Sequence, residues 1–137
     1  MTTYYEIDKI EIETANDVPE TVWLFSGSEE SFPFTVEDLY EIQANLRDGQ
    51  TDFYVTTGDE ELIDSCYDSL SGCSSWEILH AGFGVQLLDS RVVRITFEFI
   101  AEGFCENEWG EQIGESETDG FREGYDIPYD LFMSLQL

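Results

Sequence analysis

Hydrophobic and polar residues alternate along several stretches of the chain, which is the pattern of strands in a sheet with one buried face. Turn-forming residues separate these stretches, and Asp89 and Ser90 stand between the two longest as a hairpin turn. The predicted strands cover residues 4–12 with one slip in the alternation, 21–25 (TVWLF), 52–56 (DFYVT), 76–88 as one or two strands, and 91–100. Together they predict an antiparallel sheet of about four to six strands.

Two other stretches have the three- and four-residue spacing of amphipathic helices. The first helix is predicted to follow Thr35 as its N-cap, with Asp38 at the capping-box position, and to end at Gly49. The second is predicted from about Asp59 to Leu70, closed by Gly72. Its acidic residues lie together on the side opposite its apolar stripe, so we expect one face in the core and the other in solvent or against a partner.

Beyond Ile100 the periodicity fades. Residues 101–127 are rich in Gly and acidic residues and predict a loop-rich acidic segment. The C-terminal stretch PYDLFMSLQL then places Leu131, Phe132 and Leu135 for one docking helical turn. These elements predict a single α+β domain over residues 1–137, with an antiparallel sheet and two main helices.

The charge of the chain is extreme. It has 31 Asp and Glu residues against 5 Lys and Arg, which gives a formal net charge of −26. Disorder requires too little apolar material for a core, whereas 42% of the residues here are hydrophobic and 15% are aromatic, so we expect a folded domain. Adaptation to high salt tends to replace bulky apolar residues by Ala, and this chain is instead rich in Phe and Tyr.

The sequence predicts a cytoplasmic protein, of the host cell if the gene belongs to a phage. No stretch approaches the roughly 18 apolar residues of a membrane span, and the N-terminus lacks a signal-peptide pattern. Cys66, Cys73 and Cys105 form an odd and sparse set, which is typical of free thiols in a reducing compartment.

One stretch of the chain and one set of scattered residues resemble metal sites, and neither fits its motif. Residues 115–126 (ESETDGFREGYD) have the outline of an EF-hand calcium loop. However, Glu115 stands first, Arg122 eighth and Asp126 twelfth, where the motif has Asp, an apolar residue and Glu. The three cysteines and His80 lack the closely spaced pairs of a compact zinc site. We therefore expect no metal and no cofactor.

Catalytic motifs are also missing from the sequence. It contains no nucleophile elbow, no phosphate-binding Gly loop and no HExxH, and His80 has no triad context. Acid–base chemistry with paired carboxylates also needs positive or hydrogen-bonding groups to hold a substrate, and basic residues are scarce. The sequence predicts a protein that is not an enzyme.

The acidic residues form rows with few basic neighbours. No Lys or Arg occurs between Arg47 and Arg91, and Arg122 alone follows Arg94. Carboxylates four residues apart on a helix lie about 6 Å apart, and those two residues apart on a strand about 7 Å apart, which is close to the roughly 7 Å between phosphates along a DNA strand. Because unpaired like charge destabilises a compact state, its retention indicates a use beyond solubility.

In size, charge and lack of catalytic motifs the chain resembles DNA-mimic inhibitors, the group that includes anti-restriction proteins, the phage inhibitor of uracil-DNA glycosylase and several anti-CRISPR proteins. The resemblance is one of composition over the whole chain, because these proteins share no common motif or fold. It implies a non-catalytic inhibitor that occupies the nucleic-acid-binding channel of a basic partner: a restriction enzyme, a CRISPR effector, a repair enzyme or a nuclease. No direct binding of nucleic acid or membrane is expected.

Two alternatives stay open beside the mimic. An immunity-type protein would neutralise a single nuclease toxin by charge complementarity, and a calcium- or metal-binding module would use the acids as ligands. The mimic and the immunity protein share the same physics, since each presents carboxylates to a basic surface.

The predicted partner-binding residues fall into two groups. The first follows the outer face of the second helix, and the second follows the acidic segment beyond Ile100, where Phe104, Trp109 and Phe121 are either aromatic anchors for a partner or attachments to the core. The predicted residues are Glu60, Glu61, Asp64 and Asp68 in the first group, and Glu106, Glu108, Glu111, Glu115, Glu117, Asp119, Glu123 and Asp126 in the second.

Overall fold

The computed structural model describes residues 4–27, 29–68, 70, 73, 75–89, 91–106, 108–112 and 114–135, with the backbone alone for 29–33. Across these residues the chain is mostly strand and also forms helices, so the prediction of mixed α and β structure is confirmed. The elements in chain order are β1 Tyr4–Glu6, β2 Lys9–Ala15, β3 Val18–Ser26, β4 Glu29–Thr35, α1 Val36–Arg47, β5 Asp52–Thr56, α2 Glu60–Tyr67, β6 Ser75–Leu88, β7 Val92–Phe104, β8 Glu117–Pro128 and α3 Tyr129–Met133.

The strands form two sheets, whereas the sequence predicted one. The large sheet has the order β1-β8-β7-β6-β5, and all its neighbours are antiparallel except the parallel pair β1 and β8. The small sheet has the antiparallel order β2-β3-β4. Within the described ranges, no helix is both long and apolar enough to cross a membrane.

The core lies against one face of the large sheet, which we call the inner face. Along β7 every second side chain is buried, and these are Val93, Ile95, Phe97, Phe99 and Ala101. The small sheet packs here through Phe34, whose ring centroid is 4.8 Å from that of Phe83, and α2 packs here through Tyr67, 6.1 Å from Phe99. From α1, the buried Gln43 donates a hydrogen bond of 2.9 Å to the carbonyl of Phe132 in α3.

The opposite, outer face of the large sheet carries ion pairs between neighbouring strands. Arg94 of β7 is bonded to both carboxylate oxygens of its cross-strand neighbour Asp126, at 2.8 and 2.9 Å. Arg122 of β8 pairs with its neighbour Glu98 at 2.8 Å. The ring of Tyr4 lies 3.8 Å from the guanidinium carbon of Arg94. Both arginines of this face are therefore neutralised within the sheet.

The N-terminal third of the chain differs from its prediction in two ways. The alternating stretch 4–12 is divided between β1 in the large sheet and β2 in the small one, and the buried Ile7 marks the crossing. There the backbone N–H of Ile7 bonds to Asp126 and that of Asp8 to Phe25. In addition, β4 was not predicted, because its sequence EESFPFT contains Pro33; an edge strand tolerates proline since one side of its backbone has no strand partner.

The prediction of a loop-rich segment over 101–127 is wrong for most of its length. β7 continues to Phe104, and β8 occupies 117–128 between β7 and β1. The inward positions of β8 include Glu123 beside apolar residues, and glycines interrupt the strand, so its alternation is weak in the sequence. Gly120 has φ +153°, and a Cβ there would overlap the carbonyl oxygen of Phe99, so glycine allows β8 to approach β7.

The helices follow their predictions closely. Thr35 caps α1 by accepting a hydrogen bond from the backbone N–H of Asp38 at 3.2 Å, but the carboxylate of Asp38 bonds to Thr57 and not to the cap. α2 ends at Tyr67, earlier than predicted, with Asp68 as its C-cap. In α3 the predicted docking residue Phe132 is fully buried. The predicted closing residue of the second helix, Gly72, and the turn residue Ser90 lie outside the described residues.

Candidate protein-binding surface

α2 separates its acidic side from its apolar side as its sequence predicts. Asp59 caps the helix by accepting a hydrogen bond of 3.1 Å from the backbone N–H of Leu62. On the inner side Cys66 is buried and Tyr67 contacts the core. The four predicted acids of this helix all lie exposed on the other side, and they are Glu60, Glu61, Asp64 and Asp68.

These acids have opposite effects on the helix that carries them. Glu60 and Glu61 lie in the first turn, where the positive end of the helix dipole stabilises negative charge. Asp64 and Asp68 lie in the last turn and at the C-cap, where no basic residue occurs. There each carboxylate opposes the dipole, at a cost of about 0.3–1 kcal/mol. Helix stability therefore does not account for the two C-terminal acids.

The N-termini of α1 and α2 meet at one groove of about 420 Å³. Thr57 joins the two ends, because its hydroxyl donates to Asp38 Oδ2 at 2.7 Å and accepts from the backbone N–H of Asp59 at 3.1 Å. The groove is lined by Pro19, Glu20, Thr35, Val36, Glu37, Gly58, Asp59, Glu60 and Glu61. Three of these acids were not among the predicted binding residues: Glu37 and Asp59 could have been found by their positions at the helix N-termini, whereas the proximity of Glu20 depends on tertiary packing.

The connection between β7 and β8, residues 105–116, carries half of the second acidic group. A single bridge between Glu106 and Gln112 folds it back on itself. Trp109, at the turn, is 79% exposed, whereas Phe121 packs in the core 5.6 Å from Phe97. Trp109 is therefore at the surface, whereas Phe121 is attached to the core. The predicted acids that lie exposed here and at the start of β8 are Glu106, Glu108, Glu111, Glu115, Glu117 and Asp119.

The acidic connection 105–116 lies at one end of the large sheet, which we call the distal end. It is the end at which β6 begins and β7 finishes, since Ser75 pairs with Phe104. α2 contacts the inner face at Phe99, near the middle of β7, and Cys73, which follows α2 in the chain, lies 2.8 Å from Cys105 at the start of the connection. Neither α2 nor the connection contains a Lys or Arg. The segment that follows α2 thus meets the start of the connection, although the two are far apart in sequence.

Two of the predicted partner-binding residues are instead engaged within the large sheet. Asp126 is held by Arg94 on the outer face. Glu123 is partly buried on the inner face and accepts a hydrogen bond of 2.6 Å from the hydroxyl of Tyr125. Burial, and then this bond, raises the pKa of Tyr125 far above its ordinary value of 10.0. Both carboxylates have structural partners because β8 is a paired strand and not the loop that was predicted.

The structure brings together two cysteines that the sequence left apart. The thiols of Cys105 and Cys73 lie 2.8 Å apart at the distal end, while Cys66 is buried separately in α2. The hydrogen bond with Cys105, then burial and the nearby carboxylate of Glu117, raise the pKa of Cys73 to about 12. Cys73 is therefore a thiol and not a reactive thiolate at neutral pH.

The two stretches weighed as metal sites have the following geometry. Residues 117–126 of the EF-hand-like stretch are extended in β8, paired with β7, and do not curl around a central point. His80 lies on β6 with its ring 6.3 Å from that of Tyr54. Within the part of the chain that the structure describes, no group of three or more His, Cys, Asp or Glu residues is arranged to hold a metal ion.

Comparison with known proteins gives no relative for this chain: no protein-family model, no curated protein and no solved structure matches it.

Proposed function

We propose that this chain is a non-catalytic inhibitor that occupies the nucleic-acid-binding channel of a defence or DNA-processing enzyme. The observation that carries this proposal is the exposure of the acids of α2 and of the connection 105–116, in segments without a Lys or Arg. The basic residues of the large sheet, Arg94 and Arg122, are already paired on its outer face. The carboxylates of α2 are exposed to solvent and can be reached by the basic residues of a partner.

The acids of α2 and of β8 are spaced at a repeat close to that of the phosphates along a DNA strand. Glu60, Asp64 and Asp68 stand four residues apart along α2, so their Cα atoms rise by about 6 Å from one to the next. Glu117 and Asp119 stand two residues apart on β8, which corresponds to about 7 Å. Phosphates along one DNA strand are separated by roughly 7 Å, so a channel lined by Lys and Arg meets negative charges at a similar repeat.

Inhibition of this kind is stoichiometric and competitive with nucleic acid. Several ion pairs form together, so we expect the affinity to fall as salt rises. A single acid at the rim contributes less than about 1 kcal/mol, because solvent screens an exposed pair. The acids of α2 neutralised together should slow association markedly, since long-range attraction depends on the summed charge.

The experiment is a binding screen against restriction enzymes, CRISPR effectors, repair enzymes and nucleases, each with and without DNA already bound. We expect binding to at least one enzyme that is lost when its nucleic-acid channel is filled. The test variant neutralises the four acids of α2 as Glu60→Gln, Glu61→Gln, Asp64→Asn and Asp68→Asn. It should weaken both binding and inhibition.

A matched control variant tests whether binding depends on the position of the acids or only on the total charge of the chain. The variant Glu41→Gln, Asp48→Asn, Asp52→Asn and Asp89→Asn also removes four exposed acids, three of which lie near the opposite end of the large sheet. It should bind nearly as well as the parent chain. If a partner binds equally well with its channel filled, and the α2 variant binds it as tightly as the control does, the proposal is wrong.

A further inference from the structure

The small sheet presents aromatic rings and carboxylates together on the face turned away from the core. In the β2–β3 ladder Lys9 stands opposite Phe25, and Glu11 stands opposite Trp23. Glu13 lies two residues beyond Glu11 on the same face of β2. These side chains border a surface depression of about 370 Å³ that is lined by Glu11, Ile12, Glu13, Trp23 and Phe25. We call Glu11, Glu13, Trp23 and Phe25 the aromatic shelf.

One end of the aromatic shelf already binds a cation from this chain. The ammonium of Lys9 lies 5.2 Å from the centroid of the Phe25 ring and 2.7 Å from Glu11 Oε1. A cation above an aromatic face is attracted by the ring quadrupole, and a neighbouring carboxylate adds a charged hydrogen bond. Lys9 therefore shows, within the molecule, the chemistry that this surface offers to a positive group.

At the other end of the aromatic shelf a carboxylate again lies beside an aromatic ring, here the indole of Trp23. The indole N–H of Trp23 donates a hydrogen bond of 2.8 Å to Glu13 Oε2, which fixes the orientation of the ring. Glu11 stands directly across from Trp23, so carboxylates lie on two sides of it. Tryptophan binds cations more strongly than phenylalanine does. Among the described residues, no cation lies over the Trp23 ring. The next basic residue after Lys9 in the chain is Arg47.

We propose that Trp23, with Glu11 and Glu13, is a binding site for an arginine side chain of a protein partner. Arginine fits this site better than lysine because its planar guanidinium stacks on an indole while its edges donate to carboxylates. Lys9 neutralises one of the two carboxylates beside the ring, so one negative charge remains and the site complements an arginine in charge as well as in shape. The inference rests on the proposed function only for the nature of the partner, an enzyme whose nucleic-acid channel supplies arginines.

The local test uses a small probe, so that the overall charge of the chain does not dominate binding. Capped Gly-Arg-Gly peptide is titrated into the ¹⁵N-labelled full chain at about 0.15 M salt, where charges more than about 8 Å apart are largely screened. The indole N–H signals are followed, and Trp23→Phe identifies that of Trp23. We expect the Trp23 signal to move in a saturable way, while that of the exposed Trp109 moves much less. The same peptide with citrulline, which is neutral and nearly isosteric with arginine, should produce no comparable shift.

A variant of the exposed residue Glu13 tests how much its carboxylate contributes to arginine binding. Glu13→Gln should weaken binding of the arginine peptide by about twofold to fivefold, the size expected for one exposed charged contact. Glu77→Gln, an exposed acid on β6 in the other sheet, is the control and should leave binding unchanged. A Trp23 response that is the same with citrulline, or that survives Glu13→Gln at full strength, overturns the proposal.

A second assay separates this proposal from the proposed function. Trp23→Leu is tested for inhibition of the partner found in the DNA-competition screen, beside Trp109→Leu. If DNA competes but Trp23→Leu inhibits as well as the parent chain, the shelf does not contact that partner and the inference fails while the proposed function stands. If the arginine peptide binds the shelf but no partner is displaced by DNA, the proposed function fails and the arginine site stands.

Discussion

Two glycines of β6 occupy equivalent positions on the outer face of the large sheet and have different surroundings. A Cβ at Gly82 would overlap the carbonyl oxygen of Val55 and would lie 2.9 Å from the Cα of Thr56, both in the backbone of β5. At Gly84 the nearest atom to a Cβ would be the carbonyl oxygen of Thr96 at 4.0 Å. The close approach of β5 to β6 therefore requires a residue without a side chain at Gly82 and permits one at Gly84.

We expect Gly82→Ala to lower the free energy of unfolding by about 2 kcal/mol or more, because backbone atoms cannot move aside as a flexible side chain can. Gly84→Ala, the matched control, should change it by less than about 0.5 kcal/mol. Urea denaturation followed by circular dichroism measures both. Equal midpoints for the two variants would show that β5 does not pack on β6 as closely as the structure has it.

At the scale of the elements, α1 and α2 are joined by a hydrogen-bond chain at their N-termini. Thr57, which is itself buried, donates to the buried carboxylate of Asp38 and accepts from the backbone N–H at the α2 cap. A buried carboxylate that loses a donor keeps the cost of its lost hydration. The Thr57 hydroxyl therefore supplies a hydrogen-bond partner both to the buried carboxylate of Asp38 and to the backbone N–H at the start of α2.

Thr57→Val keeps the shape of the side chain and removes the hydroxyl. We expect the free energy of unfolding to fall by about 2–3 kcal/mol, since a hydrogen bond to a charged group is lost and two polar groups are left without it. Thr57→Ser should retain most of the stability, and Thr56→Val, at the exposed neighbouring position, should be nearly neutral. Thermal unfolding of the three variants measures this. A Thr57→Val protein as stable as Thr56→Val would contradict the role given to the hydroxyl.

The sequence was sufficient where one face of an element is uniformly apolar. α1, β5 and the start of β7 follow from side-chain periodicity, and the cap at Thr35 follows from local hydrogen bonding. β8 did not follow, because Glu123 stands on its inward side with a partner, the hydroxyl of Tyr125, that only the folded chain supplies. The slip in the alternation of residues 4–12 falls where the chain crosses between the two sheets, but the strands that β1 and β2 join are set by tertiary packing.

The candidate site was predictable to the same extent. The exposed side of α2 could be read from helical spacing alone, because the opposite side is apolar. The groove that adds Glu20 and Glu37, and the approach of Cys73 to Cys105, join residues distant in sequence. The arginine site proposed at Trp23 depends on the register of β2 against β3, which periodicity alone does not specify.

At the scale of the whole molecule, repulsion among the acids opposes folding. The formal charge of −26 is spread over both sheets and the helices, and the described residues contain three ion pairs, those of Lys9, Arg94 and Arg122. Salt shortens the range of repulsion to about 10 Å at 0.1 M and further above that. The stability of this protein should therefore depend on ionic strength more than that of a protein with balanced charge.

We expect the unfolding temperature to rise gradually with NaCl, by about 3–6 °C for each kcal/mol of repulsion removed. Calcium and magnesium should act alike at equal concentration, because each screens carboxylates without a dedicated cage. Differential scanning calorimetry in the three salts measures this. A saturable, calcium-selective rise at micromolar concentration, abolished by Asp119→Asn, would show that residues 115–126 hold calcium and would favour the metal-binding alternative.

The parallel pairing of β1 with β8 has a consequence for how the chain folds. Tyr4 is the partner of Gly124, so one edge of the large sheet joins residues from opposite ends of the sequence. Contacts between distant residues require a large loop to close before they contribute energy, and they slow folding. The β2–β3 and β6–β7 hairpins can form locally as the polypeptide leaves the ribosome. β1, however, has no strand to join until residue 126 has been made, so the large sheet is completed only after β8 has left the ribosome.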